Sequence, residues 1–263
     1  MNSDGAGLLT DRSYLQHSQY RSDANLAARQ SVYAYQHPPI DLQAGVLDLA
    51  CAHGDETVAD IGCGNGAYLA ELARRGHAGR VLGVDLSAGM LSAARRRAPA
   101  AALATGDAAA LPLRDRAADL TLSAHMLYHV PDPGAAAREL RRITRPGGTV
   151  LVVLNDHDHL RELRDLMTAA LQNIGSQPMP WQRMRLDHGQ DLLGSHFTSV
   201  KRHDFVSELR IPGPEPIENY VRSMINVQSQ PDPDAVAAEV ASCLAASDWP
   251  FEVRSHCGCL ICT

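Results

Sequence analysis

The chemistry-bearing residues of this chain gather at the ends of short apolar runs. Val58, Ala59 and Ile61 surround Asp60, and the run breaks at Gly62, Gly64 and Gly66 before a helical pattern with Leu69, Leu72 and Ala73 on one face. A strand, a glycine turn and a helix bring backbone N–H groups and a helix N-terminus close to a ligand. Glycine is needed there because a Cβ would hold the ligand off or forbid the turn. This is the pattern of a nucleotide-type cradle. A second run, Val81–Val84, ends in Asp85, where a carboxylate can accept from ribose hydroxyls. His125 and His129 follow the run Ala118–Ser123, and His157 and His159 follow Thr149–Leu154. Imidazoles at those places are candidate bases near neutral pH.

Two cofactors fit the glycines alone. Gly62-x-Gly64-x-x-Ala67 matches the dinucleotide fingerprint, whose third glycine is sometimes alanine. Asp60, two residues before the first glycine, suits a cationic ligand group better than a pyrophosphate. Asp85 serves either reading.

Further motifs separate them. Gly106-Asp107-Ala108 followed by Leu111-Pro112-Leu113, and Arg145-Pro146-Gly147-Gly148 before Thr149–Leu154, stand in order behind Asp60 and Asp85. This set resembles the class I S-adenosylmethionine-dependent methyltransferases, of the bacterial small-molecule type, tightly over residues 40–160. The resemblance implies an α/β fold with a Rossmann-like sheet, mostly parallel and seven-stranded, its last strand antiparallel. It implies S-adenosylmethionine as cofactor, with Asp60, Gly62, Gly64 and Gly66 at the methionine end and Asp85 on the ribose. Leu86 and Met90 would flank the adenine, Gly106, Asp107 and Ala108 would form its loop, and Ala124 and His125 would lie beside the methionine end. By the same resemblance Tyr20 and Arg29 belong to an N-terminal lid, Arg29 pairing with the cofactor carboxylate.

The elements that must position these groups follow from patterning. Residues 1–40 carry one or two amphipathic helices, stopped by His37-Pro38-Pro39. Asp41 is expected to cap a helix to about Ala52, Ser87 the helix Ala88–Ala98, and Asp158 the helix Leu160–Leu171. Residues 41–174 form the expected cofactor core. Residues 175–263 carry the remaining sheet with inserted capping helices, in a single domain overall. Tyr14, His159, Trp181, Tyr220 and Met224 are the expected walls of the substrate chamber, and His125, His129 and His157 the candidate catalytic groups.

Composition narrows the partners. The chain has 263 residues, is 45% hydrophobic and carries a net charge of −6, and its one lysine is Lys201. Such a balance gives no electrostatic case for nucleic acid. No apolar run approaches the ~20 residues of a membrane span, and the N-terminus lacks the features of a signal peptide, so a cytoplasmic protein, monomer or homodimer, is expected. Cys257, Cys259 and Cys262 read as strand residues, with Cys262 on the opposite face, rather than as a zinc site. No metal is expected at Asp156–His159, although alternating Asp and His could bind one. The expected function is methyl transfer to oxygen, nitrogen or carbon of a small molecule. Methylation of RNA or protein is the alternative, followed by NAD-dependent oxidoreduction and by cofactor binding without turnover.

Overall fold

The computed structural model describes residues 5–50, 54–176 and 184–263. Eight strands, β1 (Gln36–His37), β2 (Val58–Ile61), β3 (Val81–Asp85), β4 (Ala102–Thr105), β5 (Ala118–Ala124), β6 (Thr144–Asn155), β7 (Val200–Ile211) and β8 (Phe251–Cys262), build one sheet. Their spatial order is β1-β7-β8-β6-β5-β2-β3-β4. Strands β2 to β6 run parallel to their neighbours among themselves, whereas β8 lies antiparallel between β6 and β7. The sheet thus has one strand beyond the expected seven. Gln36 and His37 pair with Leu209 and Glu208 at the edge of β7, and Pro38, which has no N–H to donate, follows them.

The central strands are buried on both faces, as parallel strands covered by helices must be. Along β6, Val150, Val152 and Leu154 join one apolar cluster while Leu151 and Val153 join another across the sheet. Cys259 and Cys262 likewise divide between those two clusters, as period two requires. The Pro146-Gly147-Gly148 turn lies in β6 as an irregularity, its pairing with β5 shifting between Ala118 and Leu120. A Cβ on Gly148 would stand 2.6 Å from the Asp119 carbonyl oxygen, so the close return onto β5 admits only glycine.

A third cluster gathers the inserted helices Arg161–Asn173, Pro214–Arg222 and Pro233–Leu244 against Leu209, Ile211 and Val253 of the antiparallel end. Two expected caps are present: Asp41 accepts from Ala44 N and Ser87 from Met90 N. The third expectation is corrected. The helix Arg161–Asn173 begins after Leu160 in the left-handed region (φ 51°) with no side-chain cap, because Asp158 is drawn instead to Arg254 (2.5 Å) and His256 (2.8 Å) of β8.

The N-terminal segment crosses the open edge of the sheet. Its helix Ala24–Ser31 is preceded by a π-turn, Leu15–Gln19, and followed by a 3-10 turn, Val32–Tyr35. Gln16 Nε2 donates to the Leu86 carbonyl, Ser87 Oγ to the Tyr20 carbonyl, and Gln19 Nε2 and Arg29 Nη1 both to the Ser223 carbonyl. The segment is therefore tied to the sheet on one side and to the inserted helices on the other.

Candidate active site

Between this segment, the carboxyl ends of β2, β3 and β5 and the inserted helices lies a cavity of about 630 Å³. Open α/β sheets bind ligands at this edge, and the volume is that of a small-molecule site.

Its floor is the glycine turn. Gly62 N–H donates to the Val84 carbonyl and Gly64 N–H to Asp85 Oδ2 at 2.8 Å. Gly62 adopts φ 72°, and a Cβ there would strike the Met126 side chain at 2.7 Å. Gly66, also at positive φ, does not line the cavity: its missing Cβ lets the following helix sit on Ala94, 3.0 Å from where that atom would be. Gly66 shapes the cradle from behind.

Three carboxylates face the cavity. Asp60 is 1% exposed and its Oδ2 has no hydrogen-bond partner among the described residues. Burial first, then the Asp85 charge, pushes its pKa up to about 8. A buried carboxylate oxygen left unpaired is costly, and a cationic ligand group would reverse that cost. Asp85 takes Gly64 N–H on one oxygen and Ser87 N–H on the other. Burial raises its pKa and those backbone donors oppose the rise; both oxygens retain acceptor capacity. Asp107 accepts from Ala109 N–H and pairs with the Arg12 guanidinium of the N-terminal segment. Leu86, Met90, Gly106 and Ala108 complete this half.

The histidines divide by what holds their nitrogens. His125, at φ 53°, follows Ala124 at the end of β5; both line the cavity, and burial lowers the imidazole pKa to about 4. No hydrogen bond from its ring is formed among the described residues, so a neutral imidazole faces the cavity. His129 is occupied on both sides. Its Nδ1 donates to the Leu9 carbonyl at 2.8 Å, which leaves Nε2 to accept the Tyr20 hydroxyl at 2.9 Å. Tyr20 in turn accepts from Arg29 Nη2, whose guanidinium stands 5.6 Å from the tyrosine ring centroid. Arg29 and Tyr20 are thus linked to each other and, through the tyrosine hydroxyl, to His129, both of whose ring nitrogens are engaged. His157 does not line the cavity: it is 70% exposed and bonded to Asp156.

Of the expected substrate walls, His159, Tyr220 and Met224 line the cavity, whereas Tyr14 packs beside Leu9, Leu15 and Ile225 outside it. Trp181 lies outside the described residues. Tyr33, Asn155 and Arg164 also line the cavity. Asn155 ends β6, at the carboxyl edge where ligands of such sheets bind, whereas Arg164 arrives through long-range packing, which leaves no local signal.

Asp156, Asp204 and His256 place ligand atoms within 4.8 Å of one another. Arg202 Nη2 donates to Asp156 at 2.8 Å and Nε to Asp204 at 2.8 Å, and His256 Nδ1 bonds Asp158. A guanidinium already supplies the positive charge among these carboxylates.

What the fold and cavity define is an open α/β protein with an acidic, glycine-lined cradle at the carboxyl edge of its sheet. Residues 59–152 match the family model described as a methyltransferase domain. The chain is 31% identical over 184 residues to malonyl-[acyl-carrier protein] O-methyltransferase of Serratia marcescens, spanning 70% of this chain and 68% of that one. It is 40% identical over 119 residues to an uncharacterized 37.1 kDa transposon protein of Streptomyces fradiae, spanning 44% of this chain but 34% of that one. Among solved structures, a protein from Anabaena variabilis described as a methyltransferase from an antibiotic biosynthesis pathway matches with TM-score 0.61 and 21% identity, over 84% of this chain and 96% of that one. The chain belongs to the class I S-adenosylmethionine-dependent methyltransferase family. No helix among the described residues is long and apolar enough to cross a membrane.

Proposed function

We propose that the protein transfers a methyl group from S-adenosylmethionine to a small molecule enclosed in the cavity. The observation that carries this reading is Asp60, a buried carboxylate with an unpartnered oxygen at the glycine turn. It fits the ammonium of the methionine end, as a pyrophosphate would not. Asp85 would hold the ribose and Asp107 the adenine, with Leu86 and Met90 at its faces and Gly106 and Ala108 in its loop. Arg29, which forms no ion pair with a carboxylate among the described residues, would take the cofactor carboxylate while Tyr20 orients it.

When bound, the cofactor supplies a sulfonium-activated methyl, so the chain mainly has to align the acceptor and exclude water. The N-terminal segment and inserted helices do the enclosing. His125 is the one cavity histidine without a ring partner among the described residues, and its neutral imidazole is free to accept a hydrogen bond from an acceptor hydroxyl or amine. His129 and His159 have both ring nitrogens engaged. The net charge of −6 and the enclosed site favour a small acceptor over RNA or protein.

The test is to incubate the protein with methyl-labelled S-adenosylmethionine and a cell extract, then fractionate the label by size. Label in the metabolite fraction is the expected result; label confined to RNA or protein would overturn the choice of acceptor class.

A further inference from the structure

The cavity lining carries three carboxylates and the arginines Arg12, Arg29, Arg97 and Arg164. Its carboxylates Asp60, Asp85 and Asp107 all belong to the cradle at the ends of β2, β3 and β4, and no other carboxylate lines it among the described residues. Away from the cradle the lining includes Tyr33 of the N-terminal segment with His159, Arg164 and Tyr220.

Arg164, on the helix Arg161–Asn173, is half-buried. One of its nitrogens donates to the His157 carbonyl at 2.7 Å, and it forms no ion pair with a carboxylate among the described residues. Burial, and then repulsion from Arg185, lower its pKa against smaller opposing effects of Asp165, Tyr220 and Asp158. A guanidinium in that position complements a carboxylate in charge and in fork geometry.

Tyr33 adds a directed donor. The His256 backbone N–H donates to His159 Nδ1 at 3.1 Å, so that nitrogen carries no proton. The ring proton is therefore on Nε2, which donates to the Tyr33 hydroxyl oxygen at 3.0 Å. Burial keeps His159 neutral, with its pKa lowered to about 3. Tyr33, having accepted from His159, retains its own proton to give, and it lines the cavity.

We propose that the acceptor is a small carboxylic acid bound as its carboxylate, with Arg164 as counter-cation and the Tyr33 hydroxyl as hydrogen-bond donor. The assignment rests on the cradle half being the S-adenosylmethionine site, which leaves this half for the acceptor. An acceptor amine protonated at neutral pH would instead meet Arg164 with like charge. His159 is a positioning residue: it fixes which way the Tyr33 proton is offered.

The test uses protein saturated with S-adenosylhomocysteine and calorimetric titration of benzoate, phenylacetate, hexanoate and decanoate, each beside its neutral amide. In wild type at least one acid binds tenfold or more tightly than its amide. That preference falls to less than threefold in Arg164→Gln and is largely kept in Arg164→Lys. Tyr33→Phe weakens the acid several-fold more than the amide, and affinity for S-adenosylhomocysteine stays the same in every variant. The proposal is overturned if no acid outbinds its amide in wild type, or if the preference survives in Arg164→Gln. Failure of S-adenosylhomocysteine itself to bind wild type would sink the cofactor reading, and this proposal with it, before any acid is added.

Discussion

At Asp60, burial and the neighbouring Asp85 charge raise the pKa from the ordinary 3.8 to about 8. The unfolded chain ionises near the ordinary value. Between those two pH values the folded state holds a proton that the unfolded state has lost, so stability falls as pH rises through the window. Asp60→Asn should therefore raise the Tm of ligand-free protein by about 2–6 °C at pH 8 and by less at pH 5, read by scanning calorimetry. The same variant should bind S-adenosylhomocysteine about 100-fold more weakly, because a neutral amide cannot pair with an ammonium. A carboxylate serving structure alone would give the opposite sign in Tm. Asp60, Asp85 and Asp107 were legible in the sequence because each ends an apolar run or opens a glycine turn. Arg164 was not, and neither was the Tyr33–His159 bond, which joins residues 126 positions apart and which no local pattern encodes.

Among elements, the N-terminal segment depends most on tertiary contacts. Its helices are short and were expected only as one or two amphipathic stretches; the π-turn Leu15–Gln19 and the 3-10 turn Val32–Tyr35 have no sequence signature. What holds the segment is a set of long-range hydrogen bonds, with His129 joining Leu9 to Tyr20. His129→Phe should leave the sheet amides unchanged and speed amide exchange over residues 9–31 by about tenfold, the equivalent of roughly 1.4 kcal/mol of lost hydrogen bonding. Equal protection in both proteins would show that His129 is not the fastening. The missing Asp158 cap has the same origin. Asp158 has the right type and place for an N-cap, but Arg254 and His256 from β8 compete for its oxygens and win. Asp41 and Ser87 meet no such competition for the cap bond, and their caps form as the sequence predicts.

Across the whole molecule, burial keeps three histidines neutral: His125 and His129 with pKa values lowered to about 4, and His159 to about 3. Below the unfolded value of 6.5 the unfolded chain takes up protons that these rings refuse, so stability is lost as pH falls from 6.5 toward 4. Asp60 acts in the opposite direction, but it is one group against three. Tm should fall by roughly 5–10 °C between pH 7 and pH 5, and by more in Asp60→Asn. A flat profile would mean that the rings are solvated and the cavity is not closed. At this scale the sheet was the most legible feature. Its parallel strands are apolar runs cut by glycine, proline or aspartate, and the terminal strand alternates from Phe251 to Cys257 before burial becomes continuous. The added strand β1, two residues long, is too short for any periodicity to reveal. The meeting of Tyr33, His159 and Arg164 in one cavity wall was also out of reach, because it joins residues distant in the chain.

The most direct measurement is calorimetric titration of S-adenosylhomocysteine, and separately of NAD, into wild type and Asp85→Asn. Micromolar binding of S-adenosylhomocysteine, no binding of NAD, and a loss of at least tenfold in the variant are predicted. Binding of NAD instead, or an affinity for S-adenosylhomocysteine indifferent to Asp85, would contradict the assignment of the cradle.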